Sequence, residues 1–183
     1  ATLQALNTAL GEDAELARFD WSFDDANLSI GERLQIIANA ARCLVWRDGT
    51  QWTVTRDQAR TSPELQLDYR NLACNGESGI SQAGLLPASE DGVELEYVDE
   101  TTQATKAYVR LDISGGSVAV GTSANPKKIK LLGCATAAQA LNRAELEARK
   151  LLYQRTSVND TALADAASLG PGSLVRWIDP HDF

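Results

Sequence analysis

The stretch SIGERLQIIANAARCLVWRDGTQWTVTR, residues 29–56, decides the fold class. Ser29 and Glu32 stand three residues apart ahead of an apolar run. In that spacing the serine hydroxyl accepts from the third helical N–H and the glutamate reaches back to the serine N–H. Ile30, Leu34, Ile37, Ala38 and Ala41 then recur at helical intervals, which predicts a helix over 30–41 with one buried face. The β-prone run RCLVWR follows, and Asp48-Gly49 is a strong hairpin turn signal. QWTVTR returns with Trp52 and Val54 on one face. Helix plus hairpin makes an αββ unit, with Trp46 and Trp52 expected in its core.

Working outward, residues 2–10 carry Leu3, Leu6 and Leu10 at helical spacing, with Gly11 as a C-cap. Trp21 and Phe23 alternate with polar neighbours and suggest a short strand. Residues 57–92 are punctuated by glycine and proline, and only ELQLDY (64–69) alternates cleanly enough for a strand. A soft boundary is expected near 85–92. Strands are predicted over 93–98, 105–113 and 128–132, with a turn at Gly115-Gly116. Thr136 and Gln139 repeat the capping logic, and Leu141, Ala144, Ala148, Leu151 and Leu152 share one face of a helix over 137–153. Glu145 and Arg149 add an i,i+4 pair. A strand over 155–163, a turn at Gly170-Pro171-Gly172 and a last strand over 174–178 complete the chain. The order is not a regular βαβα alternation, so the fold class is α+β. Two small lobes are expected: residues 1–88, with helix 30–41 and hairpin 42–56, and residues 89–183, a mixed, mainly antiparallel β lobe with helix 137–153.

The net charge is −8, and no basic stripe suited to phosphate contacts is present, so specific nucleic-acid binding is not expected. No run of about 18 apolar residues exists, so no membrane-spanning helix is expected. The N-terminus shows no signal-peptide pattern. The chain starts at Ala1, contains no methionine and stops at Asp179-Pro180-His181-Asp182-Phe183, which suggests a piece of a longer protein. Cys43, Cys74 and Cys134 are widely spaced and form no CxxC pair, which suits buried free thiols in a reducing cytosol.

Candidate chemistry is sparse. The single histidine, His181, lies near the end of the sequence, where a catalytic triad has little to build on. Ligand count and spacing exclude a zinc site of the His- or Cys-rich type, and neither a dinucleotide fingerprint nor a P-loop occurs. Asp24-Asp25, Glu90-Asp91 and Asp99-Glu100 are acidic pairs, but adjacent acids usually point apart or decorate turns. No enzyme activity, cofactor or metal is therefore expected. Trp21, Tyr97 and Trp177 are the candidate residues of an interaction surface.

Three ordered runs carry a resemblance. They are DGVELEYVDE (91–100), KKIKLLGCATAAQALNRAELEARKLLYQRTSVNDTALADA (127–166) and GSLVRWIDP (172–180). Together with GERLQIIANAARCLVWRDGTQWTVTRD (31–57), they resemble the host-specificity (tip attachment) proteins of lambda-like phages and related phage tail proteins. The likeness runs from about residue 29 to residue 180, and position 173 departs from it, with serine where many relatives carry an acid. The resemblance implies a tail-tip or baseplate-hub lobe in a virion or prophage, made in the bacterial cytoplasm. It implies a scaffold that closes the tail tube, links to host-recognition regions, and assembles as a trimer with copies of itself and with neighbouring tail proteins. The alternatives are a carbohydrate- or host-surface-binding module and a tail-associated glycosidase.

Overall fold

A computed structural model describes residues 15–24, 27–58, 60–68, 70–72, 81–84, 89–102, 105–154 and 156–178. The expected helix over 2–10 and His181 lie outside the described residues. Helix and strand mix irregularly through the chain, which makes the fold α+β. The chain divides into two compact units, 1–56 with 86–154, and 57–85 with 155–183. They do not follow the expected division at 88/89, because the second unit pairs strands drawn from both ends of its two segments.

In the first unit, α1 spans Ile30–Ala40. Its capping box is closed from both sides: the Ser29 hydroxyl accepts from Glu32 N, and Ser29 N donates to the Glu32 carboxylate at 2.8 Å. Arg42 ends the helix in left-handed backbone (φ 55°). Strands β1 (Cys43–Asp48) and β2 (Gln51–Arg56) form the expected antiparallel hairpin, with Asp48 opposite Gln51. Its tryptophans are not core. Trp52 is 47% exposed, with its ring against Gly31, and Trp46 is half-buried and donates to the Thr55 hydroxyl. The helix stripe is also less buried than expected, with Ile30 73% exposed and only Ala38 fully buried. A two-stranded hairpin is too narrow to cover a full helical stripe.

The main core lies under a four-stranded sheet of order β7-β6-β5-β8. Strand β5 (Gly92–Asp99) pairs antiparallel with β6 (Thr105–Ser114), which pairs antiparallel with β7 (Ser117–Val120). Strand β8 (Pro126–Lys130) pairs parallel with β5. β7 was not expected, because its four residues are too few to show a period. Helix α2 (Ala137–Tyr153) lies across one face, and Ala140, Ala144 and Ala148 bury against Val93, Leu95, Tyr97 and Leu111. Small residues at i, i+4 and i+8 let helix and sheet approach closely. Burying a side chain such as Leu95 stabilises by about 2 kcal/mol.

Residues 18–24 form no strand. Phe19 stacks on Phe23 and sits at Gly133, where a Cβ would meet its ring at 2.2 Å, and Asp20 N donates to Gly133 O. That backbone bond, the ring packing, Gln139 Nε2 donating to Arg18 O at 2.8 Å and the Arg18–Glu100 ion pair hold this segment in place of a strand partner.

In the second unit, β3 (Leu65–Leu67) pairs parallel with β10 (Val175–Trp177), and β4 (Ser81–Gly84) pairs antiparallel with β9 (Thr156–Asn159). The strands expected over 64–69, 155–163 and 174–178 are thus present but shorter. β4 arises in a stretch expected to be loop. Ser173 accepts from Gly170 N and donates to Glu64 at 2.7 Å, so an acid at this position would face a second carboxylate.

Between β7 and β8 the chain crosses the start of β5. The crossing passes so close to Gly92 that a Cβ there would lie 2.2 Å from Ser123 Oγ and 2.3 Å from Leu111 O. Gly92→Ala is expected to cost about 2 kcal/mol or more, since the backbone neighbour cannot move aside. Urea unfolding monitored by circular dichroism checks this. Gly115→Ala, at a turn with open space, is the milder comparison, with only its left-handed backbone (φ 57°) to strain.

Candidate functional site

The side chains of β5, β6 and β8 alternate between two faces. One face meets α2. The other carries Glu94 and Glu96 in a column at the centre of the sheet, and Lys106, Tyr108 and Arg110 beside them on β6. Arg110 Nε bonds Glu94 at 2.7 Å, and Lys106 Nζ pairs with Glu96 at 3.1 Å. Tyr108 Oη donates to Glu96 at 3.3 Å, and the Arg110 guanidinium lies 5.4 Å from the Tyr108 ring centre. On the other flank the register sets Lys128 beside Glu94 and Lys130 beside Glu96. Shallow cavities of about 210 and 180 Å³ lie along this ladder. The Lys106 hydrogen bond holds Glu96 below the usual carboxylate range, helped by Tyr108 and by the charge of Lys130. Two carboxylates on one strand face sit roughly 7 Å apart, a spacing a glycosidase can use, but its acid must hold a proton near neutrality. Glu96 is driven the opposite way.

The second charge cluster is on the helix side. Glu147, 10% exposed at its side chain, receives Lys127 at 3.0 Å from β8, Arg143 at 3.3 Å and Lys150 at 3.5 Å. Burial alone would raise its pKa, but the Lys127 hydrogen bond and the three cations outweigh that and lower it. Arg143 also donates to Asn39 O at 3.1 Å, at the C-terminal end of α1, where a cation favours the helix dipole. Arg42 reaches Asn142 in turn. The cluster is a structural clasp that ties β8, α2 and α1 together. The expected Glu145–Arg149 pair forms at 3.5 Å on the exposed side.

The candidate surface aromatics are not all exposed. Trp21 is 46% exposed, whereas Tyr97 is 5% exposed and belongs to the core under α2. Trp177 is half-buried in the second unit. Tyr97 fell into the core because its strand alternates with β5's glutamates outward, and an aromatic on the apolar parity is packing. Three members of the acidic pairs serve structural contacts. Asp91 accepts from Ala124 N and Asn125 N, Asp99 caps the turn at Thr101, and Glu100 pairs with Arg18 at 2.6 Å. Asp25 lies outside the described residues. The charge ladder escaped the sequence reading, although Glu94 and Glu96 in VELEYV, Lys106, Tyr108 and Arg110 in KAYVR, and Lys128 and Lys130 in KKIK stand at alternate positions. The clasp had a signal too, in the i, i+4, i+7 spacing of Arg143, Glu147 and Lys150. Among the described residues no group of three or more His, Cys, Asp or Glu is placed to hold a metal, and no helix is long and apolar enough to cross a membrane.

A family model described as "Putative phage tail protein" matches residues 29–182. The chain belongs to this family of phage tail proteins and is a structural component of the virion tail, in contact with other tail proteins. No curated protein sequence matches it.

Cys43 and Cys134 are free and buried. Desolvation raises both thiols, Cys134 to about 11. Cys74 lies outside the described residues. Labelling by a disulfide reagent at neutral pH, read per cysteine by mass spectrometry, is expected to be at least about tenfold slower at Cys43 and Cys134 in the native than in the urea-unfolded chain, because the thiolate is the reactive form.

Glu147→Gln is expected to lower stability at neutral pH by about 1–3 kcal/mol, the range for hydrogen bonds to charged groups. Because the folded-state pKa of Glu147 is depressed, its contribution is present above the ordinary glutamate value of 4.5 and is lost as pH falls through the lower, folded value. The variant should therefore show a shallower loss of stability below that pH, and an unchanged pH slope would sink the clasp.

Proposed function

We propose that this chain is a lobe of the tail tip, a hub scaffold that closes the tail tube, links it to host-recognition regions and assembles as a trimer with copies of itself. The observation that carries the reading is the ordered likeness to host-specificity proteins over residues 29–180, within a chain that belongs to the phage tail family. The chemistry of the sheet supports a scaffold and not an enzyme. Glu96 is a poor proton donor, Asp91, Asp99 and Glu147 serve turns and a clasp, and the thiols of Cys43 and Cys134 are buried and raised. Sugar or host-surface recognition through Trp21, Tyr97 and Trp177 loses its middle member to the core.

Immunogold electron microscopy of virions with antibodies to this chain is expected to label the distal end of the tail, and cross-linking of intact tails to give a trimer. Label spread along the tube would overturn the tip assignment while leaving the tail assignment in place.

A further inference from the structure

Three features stand out on the molecule: the Glu147 clasp, the exposed apolar residues Ile30, Ile37 and Trp52 around α1, and the outer edge of β8. The clasp belongs to the fold, and nothing on the molecule indicates what covers the α1 patch. The β8 edge goes further. Among the described strands β8 has a neighbour only on its β5 side. Leu131 N donates to Glu96 O, so the period of two turns the N–H and C=O of Lys128 and Lys130 away from β5, toward the open edge. Their side chains stand exposed on the charged face, outside the glutamate column. Lys106 and Arg110 pair Glu96 and Glu94 from the other flank, and among the described residues no ion pair within 4 Å holds Lys128 or Lys130, although the charge of Lys130 is felt at Glu96.

The face therefore reads in columns, with cations on β6, carboxylates on β5 and cations on β8. The next column in that alternation is acidic. Its place lies beside a strand whose outward backbone groups are ready to pair.

We propose that the β8 edge receives an extended acidic segment of another protein, added as a fifth strand with carboxylates at alternate positions beside Lys128 and Lys130. The backbone supplies affinity and the lysines supply selection. Charge sets the class of partner. The face carries Lys106, Arg110, Lys128 and Lys130 against Glu94, Glu96 and Asp112, an excess of one positive charge on a chain of net −8. An acidic partner is steered here and repelled elsewhere. A nucleic acid fits less well, because its phosphates would pass over Glu94 and Glu96 and offer no strand backbone to the edge. Lysines on an edge also discourage unwanted pairing. That guarding role alone predicts no binding of any strand, whereas the added strand predicts selectivity by sign. The inference rests on the sheet and not on the tail-tip reading.

The test uses the full chain, isotope-labelled for amide NMR, and the heptapeptide Thr-Glu-Thr-Glu-Thr-Glu-Thr. The expected result is a set of shifts centred on 126–131, with binding weakened about tenfold between roughly 0.05 M and roughly 0.5 M salt. K128E/K130E should abolish binding of this peptide and accept its lysine counterpart, with the circular dichroism spectrum unchanged. K128Q/K130Q, which adds no repulsion, should weaken binding of the glutamate peptide without gaining the lysine one. No shifts at β8, equal binding of the glutamate peptide by K128E/K130E, or equal occupancy of the same amides by a short DNA duplex would each overturn the proposal.

Discussion

The crossing of residues 121–125 over Gly92 is the constraint on which the first unit depends. A chain leaving β7 must pass the end of β5 to pair on its far side, and it has five residues in which to do so. Gly92 gives the space and Asp91 gives the anchor. The Asp91 carboxylate accepts from Ala124 N and Asn125 N at 3.1 and 2.8 Å. Its carbonyl accepts from Ile113 N, and its N–H donates to Asn125 O. One residue thereby fixes β6, β5 and the crossover at once. The backbone bond from Asn125, first among these effects, holds the Asp91 carboxyl below its usual range.

What that crossing places is β8, and β8 has two charged faces with different partners. Lys127 turns inward to Glu147, while Lys128 and Lys130 turn outward. A buried carboxylate left alone would cost far more than its hydrogen bonds return. Here three cations surround it, and one of them, Arg143, continues to the end of α1. The hairpin unit, too small to bury its own helix stripe, is thus tied to the main core by polar contacts at the C-terminal end of α1.

Much of this was legible in the residues. Both capping boxes, the Asp48-Gly49 hairpin and the alanine-and-leucine stripe of α2 are local signals, and the structure carries each within a residue or two. What local pattern does not encode is pairing between distant segments. Asp91-Gly92 has the look of a boundary turn, yet its role is set by Ser123, some thirty residues on. β3 finds β10 and β4 finds β9 across the whole of 86–154, which no short-range period reports. Tyr97 and Trp52 were misplaced for opposite reasons. Parity on a five-residue run hid Tyr97 inside, and a two-stranded sheet offered Trp52 nothing to be buried by.

The second unit shows why a chain of this kind suits an assembly. Its two sheets have two strands each, with three or four residues per strand, and isolated pairs of that size are marginal in water. They bring together segments about a hundred residues apart, so closing them costs chain entropy that folding of the intervening stretch reduces. Polar ties supply part of the remainder. Asp68, 8% exposed at its side chain, accepts from Arg70 N at 2.9 Å and Arg70 Nη2 at 2.7 Å, while Asn71 bridges Asp68 N and Gln66 O. The Arg70 hydrogen bond, first among the causes, holds the Asp68 carboxyl below its usual range. A unit whose described residues bury few apolar side chains gains order from whatever it packs against. A phage tail protein always has such neighbours, and its stability need not be complete before they arrive.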